Sequence, residues 1–320
     1  MKAITQDRYG APEEVLRLTE LDPPAVGDGD VLVRVRAASV NAADWHVVRG
    51  SPFLVRFSTG LRRPKHPVPG TDVAGVVDTV GGGVTRFRPG DEVFGWCNGA
   101  FAEYGCAGEA HFVAKPAGLT FEQAAAVPLA AMTALQGLRD RGRVQAGQKV
   151  LVIGASGGVG TFAVQIAKAL GAEVAGVCST RNVEMVRSIG ADRVIDYTRE
   201  DVIPRGQRYD VIFQLAGTHS PSHLRRGLTP KGVLVLSSGQ GRLAGLDRIA
   251  KASLTSPFVG QRLVPFLATW EHADLVALEE LLRPGKVTPV IDRAYPLDET
   301  PKAVRYVEVG HTQGKVVITT

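Results

Sequence analysis

The sequence predicts an α/β protein of two domains, one strand-rich and one built on a parallel sheet, from three observations. The chain has 320 residues, beyond the ~300 at which a single hydrophobic core stops growing. Residues 31–40, VLVRVRAASV, place Val31, Val33, Val35 and Ala37 on one face and Arg34 and Arg36 on the other, the period of a half-buried strand. After residue 121, apolar runs alternate with helical-period segments, the pattern of βαβ units and a sheet covered on both faces.

Taken in order, residues 73–80, 92–94 and 101–104 read as further short strands, bounded by glycine turns at 80–83 and 89–91. The first third is therefore an irregular, twisted or barrel-like sheet. Residues 50–69 form a long connection with four prolines and with Phe53, Phe57 and Leu61, and a loop of that length is more often functional than idle. Residues 149–153 are a strand, and Val159, Phe162, Ala163, Ile166, Ala167 and Leu170 then mark one helix face that Gly171 ends. Strands follow at 173–177, 193–197, 209–215 and 232–236, with helices at 183–189 and 222–228. From residue 271 the pattern loosens, and residues 314–318 read as a strand returning to the first domain. The expected division is 1–120 with 271–320 against 121–270.

Composition excludes several classes. Lys plus Arg number 37 against 32 Asp plus Glu, a net charge of +5, and the basic residues are scattered with few interleaved aromatics, so nucleic acid is not an expected partner. Thirty-seven glycines without a G-X-Y period exclude collagen and imply many tight turns. Three cysteines exclude a disulfide framework and a four-cysteine zinc lobe. Residues 1–10 carry no apolar signal core, and the longest smooth apolar stretch, 124–135, is too short for a membrane span and contains Pro128, so a cytoplasmic protein is expected.

The glycine cluster Gly154-Ala155-Ser156-Gly157-Gly158-Val159-Gly160 lies between a strand and an amphipathic helix. That order sets free backbone N–H groups of Ser156, Gly157, Gly158 and Val159 and the positive helix end against a pyrophosphate. The spacing is A-x-G-x-x-G, with Ala155 where the first glycine of the strict fingerprint stands. At the end of the next strand, an NAD-specific enzyme places a carboxylate on the ribose; here Ser179, Thr180 and Arg181 offer two hydroxyls and a guanidinium to a 2′-phosphate, so NADPH is expected.

With these features in place, the chain resembles the zinc-independent branch of the medium-chain dehydrogenase/reductase superfamily, the quinone oxidoreductase and enone reductase group. The matching segments are 41–44 (NAAD), 70–75 (GTDVAG), 89–93 (PGDEV), 99–104 (GAFAEY), 154–160, and 190–192 (GAD) leading to 195–197 (IDY), so the resemblance runs almost end to end. It implies a GroES-like β-rich catalytic domain from both chain ends, a Rossmann domain between them, and a homodimer that pairs edge strands of the Rossmann sheets within 261–267.

Departures from the zinc alcohol dehydrogenases are informative. Those enzymes carry cysteine where Asn41 stands, a His-Glu pair where Thr71-Asp72 stands, and cysteine at or near Leu129, so no metal is expected. The resemblance places Asn41 as a hydrogen-bond donor facing nicotinamide and substrate oxygen, with Asp44 orienting the loop. His46 stands where some zinc enzymes carry a relay histidine; a partly buried structural histidine is the preferred alternative, because Ala43 replaces the relay hydroxyl. Thr133, Tyr197, Ala216, Ser237 and Ser238 complete the implied cofactor contacts.

The expected activity is metal-free hydride transfer from NADPH to a quinone or α,β-unsaturated carbonyl compound, with the cofactor carrying the chemistry. Reduction of a ketone or aldehyde without zinc is the second enzymatic expectation. A cofactor-binding protein without turnover, crystallin-like or weakly nucleic-acid-binding, is the non-enzymatic one.

Overall fold

The computed structural model describes residues 1–237 and 260–320. The chain divides into two compact units, one of Met1–Ala130, Glu271–Pro284 and Pro289–Thr320, the other of Ala131–Trp270 and Gly285–Thr288. Among the described residues no helix is long and apolar enough to cross a membrane.

The first unit opens with β1 (Lys2–Thr5) and β2 (Arg17–Glu20), an antiparallel pair. Then come β3 (Asp30–Val40), β4 (Asp72–Val80), β5 (Glu92–Trp96), β6 (Tyr104–Gly108) and β7 (Phe112–Ala114). In β3, Val31, Val33, Val35 and Ala37 are buried and Arg34 and Arg36 exposed, as the alternation requires. The strand expected at 101–104 starts instead at Tyr104. Phe101 is drawn to β1, accepting from Ile4 N at 2.9 Å, and its buried ring packs where a side chain on Gly70 (φ 92°) would stand.

The second unit is a six-stranded parallel sheet of β8 (Lys149–Ile153), β9 (Glu173–Cys178), β10 (Arg193–Asp196), β11 (Tyr209–Gln214), β12 (Leu228–Leu236) and β13 (Arg262–Pro265). Its order is β10-β9-β8-β11-β12-β13, the doubly wound dinucleotide-binding order, which reverses between β8 and β11. The helix expected at 222–228 is Pro221–Arg225: Ser220 caps it, and Leu228 already pairs with Tyr209 in β12.

The chain returns to the first unit with β14 (Ile291–Pro296) and β15 (Lys315–Thr319), giving a sheet ordered β14-β15-β3-β4-β5-β7 with β6 also on β3. The loosened pattern after 271 hid two helices, His272–Leu282 and Thr300–Val309. Two glutamines of the second unit fix the segments near its exits. Gln136 exchanges bonds of 2.8 and 3.0 Å with the backbone of Thr269, and Gln165 does so at 2.9 and 2.8 Å with that of Thr288.

Candidate active site

In the first unit the end of β3 delivers Asn41 as the N-cap of helix Ala42–Arg49, and its backbone N–H donates to Asp44 Oδ2 at 2.7 Å. The register of β3 on β4 sets Ser39 opposite Asp72. Asp72 Oδ2 accepts from Ser39 Oγ at 3.0 Å and from Asn41 Nδ2 at 2.8 Å, while its Oδ1 accepts from the backbone N–H of Leu129 at 3.2 Å. Lys315 opens β15 beside Val40 and donates from Nζ to Asn41 Oδ1 at 2.5 Å and to Val40 O at 3.3 Å; Asp72 Oδ2 lies 3.5 Å away.

This is a buried polar network: the side chains of Asp72 and Lys315 are 0% and 3% exposed. Burial pushes Asp72 up and Lys315 down, and their mutual attraction opposes both shifts. Burial also raises the Asp44 carboxyl to about 7 against the pull of the Asn41 N–H. The Thr71 hydroxyl is buried and makes no hydrogen bond.

These side chains do not make a zinc donor set. Where the zinc enzymes carry thiolates and an imidazole, this chain presents an amide, a hydroxyl and a leucine, and an ammonium stands beside the one carboxylate. Among the described residues no three His, Cys, Asp or Glu side chains group to hold a metal. The thiols are not nucleophiles either, since burial pushes Cys97 to about 12 and Cys178 to about 11.

His46 stands apart from the network. Its Nδ1 bonds the carbonyl of Ser51 at 2.7 Å, its ring stacks on Trp45 at 3.5 Å between centroids, and burial lowers its pKa, so the neutral ring is favoured.

In the second unit, β8 runs into the turn at Gly154 (φ 89°) and then into helix Gly158–Ala169, capped by Gly157. A side chain at Gly154 would meet Ala216 Cβ at 2.6 Å, so the turn and the end of β11 are in contact where the sheet order reverses. A Cβ on Gly160 would lie 2.0 Å from the carbonyl oxygen of Gly154, which only glycine allows. The Gly157 N–H donates to the Gly154 carbonyl at 3.1 Å and closes the turn, while the first-turn N–H groups of the helix, Gly158 and Val159, have no intrahelical acceptor and fit a dinucleotide pyrophosphate.

The other predicted cofactor residues fall at strand ends. Ser179, Thr180 and Arg181 follow β9, Tyr197 follows β10 and is 50% exposed, Ala216 lies two residues past β11, and Ser237 follows β12. Thr133 is buried in helix Pro128–Leu135; Ser238 lies outside the described residues.

One expectation needs adjustment. The Thr180 hydroxyl donates to Asp196 Oδ2 at 2.6 Å and so is already engaged, and Asp196 brings a carboxylate to the end of β9 that the sequence did not reveal. Thr198 and Arg199 also contact that carboxylate, which lies below its ordinary pKa chiefly through the Thr180 bond.

Sequence reasoning missed Asn182 and Lys315. Asn182 Nδ2 joins Ser156 Oγ at 2.9 Å and Ser179 Oγ at 3.3 Å, tying the phosphate turn to the end of β9. Nothing in the local pattern marked Asn182, whereas Lys315 could have been flagged as a cation inside an apolar strand.

Comparison with known proteins bears on both units. Residues 27–128 match the alcohol dehydrogenase GroES-like domain, and residues 189–318 match the family described as zinc-binding dehydrogenase. The chain is 33% identical to the chloroplastic quinone-oxidoreductase QR1 of Triphysaria versicolor, over 99% of this chain and 98% of the relative. It is 34% identical to the chloroplastic NADPH-dependent alkenal/one oxidoreductase of Arabidopsis thaliana, over 99% of this chain and 79% of that protein. The crystal structure of Escherichia coli quinone oxidoreductase complexed with NADPH superposes with a TM-score of 0.84 at 25% identity, covering 100% of both chains.

Proposed function

The chain belongs to the medium-chain dehydrogenase/reductase family, in its quinone oxidoreductase and enone reductase group, and from that membership we propose that it transfers hydride from NADPH to a quinone or an α,β-unsaturated carbonyl compound without a metal. It is an oxidoreductase with a GroES-like and a Rossmann-like domain, a nicotinamide cofactor and a small-molecule substrate. The metal-free part rests on one observation: Asn41 and Asp72, at two of the positions where the zinc enzymes carry ligands, are hydrogen-bonded to each other and held by the ammonium of Lys315.

When bound, the nicotinamide supplies the hydride. The N–H groups of Ser156, Gly158 and Val159 hold the pyrophosphate, with Gly157, whose own N–H is bonded to Gly154, allowing close approach; Ser179 and Arg181 take the 2′-phosphate, with Thr133, Tyr197, Ala216, Ser237 and Ser238 as further contacts. In the first unit one Asn41 Nδ2–H is used by Asp72, which leaves its second N–H and the Thr71 hydroxyl as donors to the substrate oxygen. These donors stabilise the enolate or hydroquinone anion that develops there, and water supplies the proton. Phe53, Leu54, Phe57 and Leu61 are each more than half exposed, an apolar segment suited to a hydrophobic acceptor.

The test is NADPH oxidation by the purified protein against naphthoquinones, alkenals and ketones, with NADH in parallel. Turnover of quinones or alkenals, faster with NADPH, is expected. Ketones as the best substrates would move the activity to carbonyl reduction, and tight NADPH binding without any turnover would remove the enzymatic proposal.

A further inference from the structure

We propose that Lys315 is a positioning residue for this reaction: its buried ammonium holds Asn41 Oδ1 and polarises the amide, so that the remaining Asn41 N–H stabilises the anion formed on the substrate oxygen. The inference rests on the role given to Asn41 above.

The geometry distinguishes Lys315 from half of an ordinary structural ion pair. Its shortest contact, 2.5 Å, is to the neutral amide oxygen of Asn41, while the counter-ion Asp72 lies at 3.5 Å, beyond good hydrogen-bond length. A cation on the oxygen of an amide withdraws electron density through the conjugated C–N bond and strengthens both N–H donors, and the low-dielectric surroundings enlarge that effect. The two charges also fix which way the amide points. Turned over, Asn41 would present its oxygen to the Asp72 carboxylate and its NH2 group to the ammonium, two repulsive contacts in place of two attractive ones.

The charged groups acting on the ammonium are the carboxylates of Asp72, on β4, and Asp44, on helix Ala42–Arg49; the polar groups touching it are Asn41 and the Val40 carbonyl. Ser39 and Leu129 satisfy the remaining acceptor capacity of Asp72. The network is thus closed around the amide of Asn41, and the positive charge that a catalytic metal would bring to a carbonyl is replaced by an ammonium acting through one amide bond.

Lys315→Met alone strands a buried carboxylate and invites misfolding, so the decisive variant is Lys315→Met with Asp72→Asn, which removes both charges and preserves an acceptor for Asn41 Nδ2. Its melting temperature, its affinity for NADPH, its kcat and KM for a naphthoquinone, and the side-chain amide resonances of Asn41 are compared with those of the wild type and of Asp72→Asn alone. That single variant changes the acceptor on Asn41 Nδ2 by itself, so that the difference between the two variants reads Lys315. With the fold and cofactor affinity retained, kcat should fall by about 10- to 100-fold, the scale of weakening one oxyanion donor, and the Asn41 amide proton and nitrogen signals should move upfield. A folded double variant with kcat within about twofold of the wild type, or with unmoved Asn41 signals, overturns the proposal. If the wild type itself turns over no quinone or enone, the proposed function fails, while the Asn41 resonances still decide whether Lys315 polarises the amide.

Discussion

Asp44 is a carboxyl buried at the first turn of a helix, and its burial ties the stability of the first unit to pH with an uncommon sign. An exposed aspartate titrates at 3.8, and in the fold Asp44 is raised to about 7. Between those values the folded chain holds a proton that the unfolded chain has lost, so this group's contribution weakens stability as pH rises toward 7; below 3.8 it adds no such penalty. Asp44→Asn keeps an oxygen for the Asn41 N–H and cannot ionise. Thermal melts from about pH 4.5 to pH 8 should show the wild type losing more stability than the variant as pH rises, and parallel curves would show that Asp44 ionises normally. Gly160 is a second single-residue dependence. With its absent Cβ only 2.0 Å from the Gly154 carbonyl, Gly160→Ala must displace the phosphate turn, weakening NADPH binding by at least about tenfold and costing about 1–3 kcal/mol of stability, read by calorimetry and melting. Asn41 and Gly160 were marked in the sequence by the family segment and the glycine cluster, whereas Asp72 was noted only as the residue standing in place of a zinc ligand. Lys315 stands out as a cation in an apolar strand, but its partner was hidden, because 274 positions separate it from Asn41.

At the scale of elements, the ends of β8, β9 and β10 converge through side chains rather than through backbone alone. Asn182 clamps Ser156 to Ser179, and Asp196 holds Thr180; in the function proposed above, cofactor preference rests on Ser179 and Arg181 held in this frame. Arg181→Asp should cut the NADPH-over-NADH ratio of kcat/KM by at least about tenfold; an unchanged ratio would assign the phosphate elsewhere. The glutamine clasps are a second element-scale device. Gln165→Leu leaves both the N–H and the carbonyl of Thr288 without their partner and should cost about 1–3 kcal/mol in denaturant melts. The strands of the second unit were readable because parallel, doubly covered strands are continuous apolar runs. Helix His272–Leu282 was missed although its buried Leu275, Leu278 and Leu282 keep helical spacing, since the leucines and alanines around them blur the contrast between faces.

At the scale of the whole molecule, the parallel sheet ends on two strands of different character. β10 carries Arg193 in an ion pair with Glu200 and ends at Asp196 beside Arg199, charges that blunt it as a template for further pairing. β13 instead reads Arg-Leu-Val-Pro and continues into Phe266 and Leu267, the latter 80% exposed. Its one partner among the described strands is β12, and the edge pairing implied by the sequence resemblance falls on this strand. Pro265 has no N–H to contribute, which removes one donor from such pairing and suits an edge strand. We propose a homodimer on this edge, with Leu267 covered by the partner. Sedimentation should then give twice the 34.0 kDa chain mass, and Leu267→Lys, which places a charge where the partner covers an apolar side chain, should raise the dimer dissociation constant by at least about tenfold. The substitution lies outside every strand and every cofactor contact, so the melting transition of dilute variant should match that of dilute wild type. A wild type that sediments at the mass of one chain, or a variant dimer of unchanged affinity, would place the self-association surface elsewhere or remove it.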